Sequence, residues 1–231
     1  MKVSVVVVTY RRLHSLGDIL QAWLAETPDV WLCDCSKKGF KTSLPINIIR
    51  ARPDPGSKIR HAVALMTTGD IVIKADDDIT PWPGLVKDFV DNMKKVGPAI
   101  LSVHGRKFFG PNYYSQTFMY GSKGVQKGIY ATHPAGEPKE VDFVGVITCA
   151  PRELLPMDLM GCKSEIEDLF WQMEKYPEAK KYVIPTLNYH NLKESKDDGR
   201  LCAPNTNSRI VRQAYYKKMY EENYANRNNN G

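Results

Sequence analysis

No stretch of this 231-residue chain approaches the ~20 consecutive apolar residues that a membrane-spanning helix needs. The start of the sequence also lacks the basic, apolar and small-residue succession of a secretory leader, so the expected compartment is the cytoplasm. Cysteine is scarce and badly placed for bridging or for zinc. Cys33, Cys35, Cys149, Cys162 and Cys202 are odd in number, have no zinc-type spacing and include no Cys-x-x-Cys, so reduced thiols are expected. There are no internal repeats. The first apolar run is not followed by a glycine-rich phosphate loop. Thr9-Tyr10-Arg11-Arg12-Leu13 stands there instead, which argues against a nucleotidyltransferase, the other class that joins a Rossmann-like sheet to acidic metal ligands.

What is present is ordinary for a globular protein: 42% hydrophobic and 25% charged residues, enough for one large α/β domain. A formal net charge of +6 suits an anionic substrate, a nucleotide or nucleic acid. The most informative stretch is Gly69 to Thr80. Asp70 to Ala75 reads as a short β-branched strand that delivers Asp76, Asp77 and Asp78 to its C-terminal end. Adjacent carboxylates repel and need a positive partner. Mg²⁺ or Mn²⁺ carrying phosphate oxygens fits, because such ions take one or two carboxylates and keep sites for water and phosphate. Alternation along an extended chain would point Asp76 and Asp78 one way and Asp77 the other. An acidic surface turn is the plainer alternative.

Strands are expected at Val3–Val8, Val30–Cys33, Ile46–Ala51, Asp70–Ala75, Ala99–Val103, Val141–Cys149 and Tyr182–Pro185. Helices are expected at Leu13–Ala25, Lys58–Met66, Leu85–Met93, from Lys163 through an apolar stripe at Ile166, Leu169, Phe170 and Met173, and at Ser208–Tyr224. The early β-α-β-β-α-β order implies a mostly parallel sheet with helices on both faces. Phe108 to His133 has few apolar runs and reads as an irregular acceptor-side loop region or a surface hairpin.

Three segments in sequence, "VSVVVVTYRR", "LCDCS" and "IRHAVALMTTGDIVIKADDDITP", resemble the N-terminal half of family-2-type glycosyltransferases with the GT-A fold. The loop after the second strand is one residue shorter than usual, and His61 stands where that family has Asn. The resemblance implies one domain over residues 1–227. It would comprise a nucleotide-sugar half (1–98), an acceptor and catalytic half (99–207) and a basic C-terminal helix (208–227), with a disordered tail (228–231).

The resemblance also implies roles. Thr9, Tyr10 and Arg11 would line the nucleobase and ribose pocket, and Asp34 would accept a hydrogen bond from the base. Arg60 would face the sugar-nucleotide, Asp76 would sit near the ribose with Asp77 beside it, and Asp78 would bind Mn²⁺ or Mg²⁺. Arg152 lies in a segment similar to the one that closes the family's sugar pocket, and His190 resembles a C-terminal metal ligand of some GT-A enzymes. Asp168, or else Glu167, matches the carboxylate that removes the acceptor's proton. Acids also favour a helix's first turn for its dipole alone. Lys193, Lys196 and Arg200 would close over the phosphates.

The expected activity is metal-dependent transfer of a sugar from a nucleotide-sugar, a UDP-sugar in the first instance, with inversion. The acceptor would be a glycan, a lipid or a hydroxymethylated DNA base. The basic, tyrosine-rich C-terminal helix suits a nucleic-acid backbone or peripheral contact with an anionic membrane. The alternatives are a nucleotidyltransferase and a non-catalytic sugar-nucleotide or glycan-binding relative.

Overall fold

The computed structural model describes residues 1–10, 12–52, 55–56, 58–121, 130–132, 136–159, 162–163, 166–191 and 207–224. In chain order the elements are β1 (Val3–Thr9), α1 (Leu16–Glu26), β2 (Asp29–Asp34), β3 (Asn47–Arg50), α2 (Ile59–Met66), β4 (Ile71–Asp76), β5 (Ile79–Pro81), α3 (Leu85–Val96) and β6 (Ile100–Phe108). There follow β7 (Thr117–Gly121), β8 (Tyr130–Thr132), β9 (Lys139–Glu140), β10 (Phe143–Pro151), α4 (Glu167–Leu169), β11 (Lys181–Val183), β12 (Tyr189–Asn191) and α5 (Asn207–Met219). α4 runs on into a wider π-helical segment, Phe170–Lys175.

One sheet runs β3-β2-β1-β4-β10-β6-β11-β9, with β7 and β8 carried on β6. β3, β2, β1 and β4 are mutually parallel; β10 is antiparallel to both its neighbours, and β11 is parallel to β6. β1 lies between β2 and β4, with α1 and α3 against one face and α2 against the other, which is why Val3 to Val8 is a continuous apolar run. Val5 and Val7 pack with Leu20 and Trp23 of α1 and Phe89 of α3. Val6 turns to the other face and meets Val63 and Ala64 of α2. Gly69 is required where β4 begins, because a Cβ there would lie 2.6 Å from the Ser4 backbone nitrogen.

The start of α3 is held from α1. The Glu26 carboxylate accepts the backbone N–H groups of Gly84 and Val86, each at 2.9 Å. These are donors that a helix end leaves open, and the negative charge suits the dipole. Glu26→Ala should therefore cost about 1–2 kcal/mol in urea unfolding. A variant as stable as the wild type would show the cap to be idle.

Of the two readings of the Phe108–His133 region, the structure contains the hairpin: β6 extends to Phe108 and pairs antiparallel with β7, Phe108 opposite Thr117. A separate two-stranded ribbon, β5 with β12, follows the acids; its strands have three residues each, too short to stand out in sequence. Arg11, then Lys193, Lys196 and Arg200, which were expected to close over the phosphates, Cys202 and the tail lie outside the described residues. Among the described residues no helix is long and apolar enough to cross a membrane.

Candidate active site

β4 has two chemically different faces. Val72 packs against α2, and Lys74 and Asp76 follow on that face. Ile71, Ile73 and Ala75 face α1 and α3. The strand ends at Asp76, and the chain turns at Asp77 and Asp78. The extended chain stops there, so alternation does not decide how Asp76 and Asp78 face each other, though Asp78 is close enough to raise the pKa of Asp76. Asp77 and Asp78 converge on one cation: Arg12 Nη1 donates to Asp77 Oδ1 at 3.1 Å and to Asp78 Oδ2 at 2.8 Å. Thr9 Oγ1 donates to Asp77 Oδ2 at 2.7 Å. Burial pushes the Asp77 carboxyl up; Thr9 and Arg12 pull it back without cancelling the rise.

Asp76 belongs to a second group. Arg60 Nη1 donates to Asp76 Oδ1 at 2.9 Å, and Arg60 Nη2 donates to Glu167. Arg60 is thus a bridge between the end of β4 and the first turn of α4. The Asp76 side chain is 44% exposed, open to solvent on one side while crowded by protein on the others. That crowding raises its pKa, Arg60 opposes the rise, and Asp78 adds to it. Glu167 is buried; Asp168 beside it is held by both nitrogens of Arg212 from α5, at 3.1 and 2.9 Å. Asp168 Oδ1 also accepts the Leu169 N–H at 2.9 Å. Both candidate bases therefore stand in the site, each in an ion pair.

Directly beneath the Arg60 bridge is a buried basic cluster. Lys74 Nζ lies 3.2 Å from His61 Nδ1 and 3.2 Å from the centre of the Trp171 ring. Burial pushes the pKa of Lys74 well down, and Arg60 adds to the effect. His61 is lowered for the same first reason, then by Lys74 and Arg60. Both shifts favour the neutral form of the side chain. Beside the end of β4, β10 carries a bulge between Gly145 and Thr148, in which Val146 takes φ 75°. A β-branched residue rarely adopts that conformation.

On the other side of Thr9, a cavity of about 440 Å³ is lined by Tyr10, Leu13, His14, Ser36, Lys37 and Lys38. It has the size of a small-ligand site. Tyr10, 38% exposed, is among the residues that line it. Asp34 is not available to a base. It is fully buried, and its oxygens accept Ser36 N–H at 3.0 Å, Ser36 Oγ at 2.5 Å and Phe40 N–H at 2.7 Å. Burial pushes its pKa up, but those hydrogen bonds outweigh it and leave it lowered. Its position organises the loop that carries Ser36 to the cavity.

Arg152 is also placed elsewhere. Its guanidinium donates to the carbonyls of Gly69 (3.1 Å), Leu65 (3.2 Å) and Thr67. Gly69 precedes β4, roughly 20 Å of strand away from Asp76. The side chain fastens the α2–β4 connection. His190 pairs with Thr80 across the ribbon and stacks on Trp82 at 6.2 Å, with ring planes 3° apart. Among the described residues no three His, Cys, Asp or Glu side chains are grouped to hold one metal ion. A hard cation that also binds phosphate and water needs only one or two carboxylates, and Asp78, 24% exposed, with Asp76 meets that need. Cys33, Cys35, Cys149 and Cys162 are free and buried, and burial pushes the Cys162 thiol up to about 12.

Sequence reasoning missed Arg12, Lys74 and Arg212. Arg12 directly follows Thr9, Tyr10 and Arg11 at the strand-end turn; nothing local marks the other two.

No protein-family model matches the sequence, and no curated protein matches it by sequence. Solved structures do match in shape. S. aureus TarS 1–349 in complex with UDP-GlcNAc gives a TM-score of 0.56 at 19% identity, covering 85% of this chain and 60% of that one. TarS 1–349 alone gives 0.53 at 18%, covering 83% and 60%. GalNAc-T7 with UDP, GalNAc and Mn²⁺ gives 0.63 at 14%, covering 95% and 48%. The chain thus spans about half to three-fifths of the length of these structures. The likeness is one of backbone architecture, and the architecture is the GT-A fold of glycosyltransferases.

Proposed function

We propose that this chain is a metal-dependent glycosyltransferase that moves a sugar from a UDP-sugar to an acceptor hydroxyl, with inversion. The observation that carries this reading is the convergence of Asp76, Asp78, Arg12, Arg60, Glu167 and Asp168 at the end of β4. It occurs on a fold shared with structures solved with UDP-GlcNAc and with UDP, GalNAc and Mn²⁺. Ligands of α/β sheets sit outside the carboxyl ends of the strands.

Tyr10 and the cavity beyond it would take the nucleoside, with Lys37 and Lys38 on its rim. Asp78, with Asp76, would hold Mn²⁺ or Mg²⁺, and His190 would join only by leaving its stack on Trp82. The metal would supply positive charge beside the departing diphosphate. Asp168, or Glu167, would take the acceptor's proton as its oxygen attacks the anomeric carbon. A general base contributes typically about 10²–10⁴-fold. A glycan, a lipid and a hydroxymethylated DNA base remain the candidate acceptors.

One observation favours a second reading, a non-catalytic sugar-nucleotide-binding protein: both candidate bases are ion-paired. Turnover separates the two. The first test is a thermal-shift panel of UDP-, GDP-, CDP- and dTDP-sugars, with and without Mn²⁺. A ligand at a hundredfold excess over Kd should add about 2.7 kcal/mol, or ~5–10 °C for a chain of this size. The expected result is a metal-dependent shift with UDP-sugars that disappears in Asp78→Ala. No shift with any nucleotide would remove the transferase reading.

A further inference from the structure

Three guanidinium groups gather around two tyrosines beside Asp168. Arg106 lies 4.5 Å from the Tyr113 ring centre, Arg212 lies 5.8 Å from the same centre, and Arg209 lies 4.2 Å from that of Tyr114. The two rings meet edge-on at 4.9 Å. Arg106 Nη1 is directed at Tyr113 O and Thr117 Oγ1, each at 3.3 Å. Among the described residues Asp168 is the one carboxylate paired with any of the three arginines. Among the described residues the cluster therefore sets three guanidinium charges against one carboxylate, with Arg212 in contact with the candidate base. Like charges brought together without an acid to offset each of them favour an anion between them.

The position is built, not incidental. Gln213 Oε1 accepts the Tyr113 N–H at 3.0 Å, Gln213 Nε2 donates to Pro111 O at 3.0 Å, and Tyr216 Oη donates to Gly110 O at 2.9 Å. These bonds zip α5 onto the turn between β6 and β7. They fix Arg209 and Arg212, one helical turn apart, over the tyrosine pair. Guanidinium groups bind phosphate in a fork as readily as carboxylate.

We propose that the Arg106–Arg209–Arg212 cluster is an acceptor subsite for a phosphate oxyanion, and that this anion draws Arg212 off Asp168. The inference rests on the transferase reading and names the acceptor's chemical class. Before the acceptor arrives, Arg212 occupies both Asp168 oxygens. A phosphate on the acceptor competes for the same fork. The released carboxylate takes the proton of the acceptor hydroxyl. That oxygen bonds to the anomeric carbon, and the carbon–oxygen bond to the diphosphate breaks with its electron pair on the leaving group. Arg212 is a positioning residue in this scheme, and it would suppress transfer to water.

The test uses the full chain, ¹⁵N-labelled at arginine and ¹³C-labelled at the aspartate carboxyl, with inorganic phosphate and dimethyl phosphate as probes. Spectra are taken up to about 0.1 M probe, with chloride controls at equal ionic strength, where screening acts over ~10 Å. The expected result is a saturable movement of the Arg212 Nε and Asp168 carboxyl signals with one common Kd. Arg209→Gln should weaken it roughly 10–100-fold, the worth of one charged hydrogen-bonding partner. Arg212→Lys should keep part of the affinity, and Arg212→Gln should leave Asp168 unresponsive. A diester-only or a phosphate-only response would identify the acceptor's phosphate type. Movement that does not saturate, that equals the chloride control, or that leaves Asp168 in place would overturn the proposal. No sugar-nucleotide is needed, so failure of the transferase reading would be seen separately, in the thermal-shift panel.

Discussion

Arg60→Met should destabilise the protein by about 3–5 kcal/mol, the usual consequence of removing one partner of a buried ion pair. Arg60 has 14% of its side chain exposed and Glu167 has 2%, so screening by water is slight. Burial would push the guanidinium pKa down, but Glu167, then Asp76 and Asp168, more than restore it. The charge is secured by its neighbours and secures them in turn. Without it, Glu167 keeps a buried carboxylate beside Asp168 and must either carry an uncompensated charge or bind a proton.

The double substitution Arg60→Met with Glu167→Met should be much milder, because apolar residues of similar volume remove both desolvation costs together. Urea unfolding of the four proteins in the cycle gives the coupling directly. A value above ~2 kcal/mol is expected for groups in contact, and independent effects would show that the bridge is not formed in solution. Donor binding supplies a second reading of the same variant. Asp76 loses its cation, so any nucleotide-dependent thermal shift should shrink together with stability.

The sheet was legible in the sequence because its strands are β-branched runs bounded by turns. Val3 to Val8 and Asp70 to Ala75 appear within one residue of β1 and β4. The acids after β4 stood out in the sequence as a cluster, but their directions did not. Strand alternation predicts pairing of Asp76 with Asp78 only while the chain stays extended, and it turns at Asp77. Asp34 and Arg152 show a different limit. Each is a polar residue at the end of a strand, where a ligand is expected, and each is consumed by neighbouring backbone groups. Buried polar groups must find such partners, and a sequence does not say whether protein or ligand provides them. The Asp168–Arg212 pair spans 44 positions and depends on how α5 docks. The Tyr113, Gln213 and Tyr216 bonds that dock it are equally nonlocal.

Lys74→Met should be more favourable at neutral pH than at pH 10.5, and should change how stability depends on pH. In the sequence Ile71-Val-Ile-Lys-Ala75 the lysine looks like an outward-facing residue of a strand, yet it is 1% exposed. The groups facing it are His61 and Arg60 from α2, Glu167, Asp168 and Trp171 from α4 and its continuation, and Cys149 from β10. Burial and Arg60 depress its pKa more than the acids raise it. The unfolded chain, where lysine titrates near the ordinary 10.5, then binds a proton that the folded chain does not. Stability is therefore whole above that value and is lost as pH falls toward the depressed folded pKa. Across that window the gap between Lys74→Met and wild type should widen by about 1.4 kcal/mol for each pH unit of descent, then level off. Taking the difference between the two proteins cancels the other lysines and tyrosines that titrate in the same range. Methionine keeps the unbranched shape and can still lie on the Trp171 ring, so packing is little disturbed. A constant gap between pH 7 and 10.5 would mean that Lys74 is charged in the fold, its ammonium held over the indole as a cation–π pair.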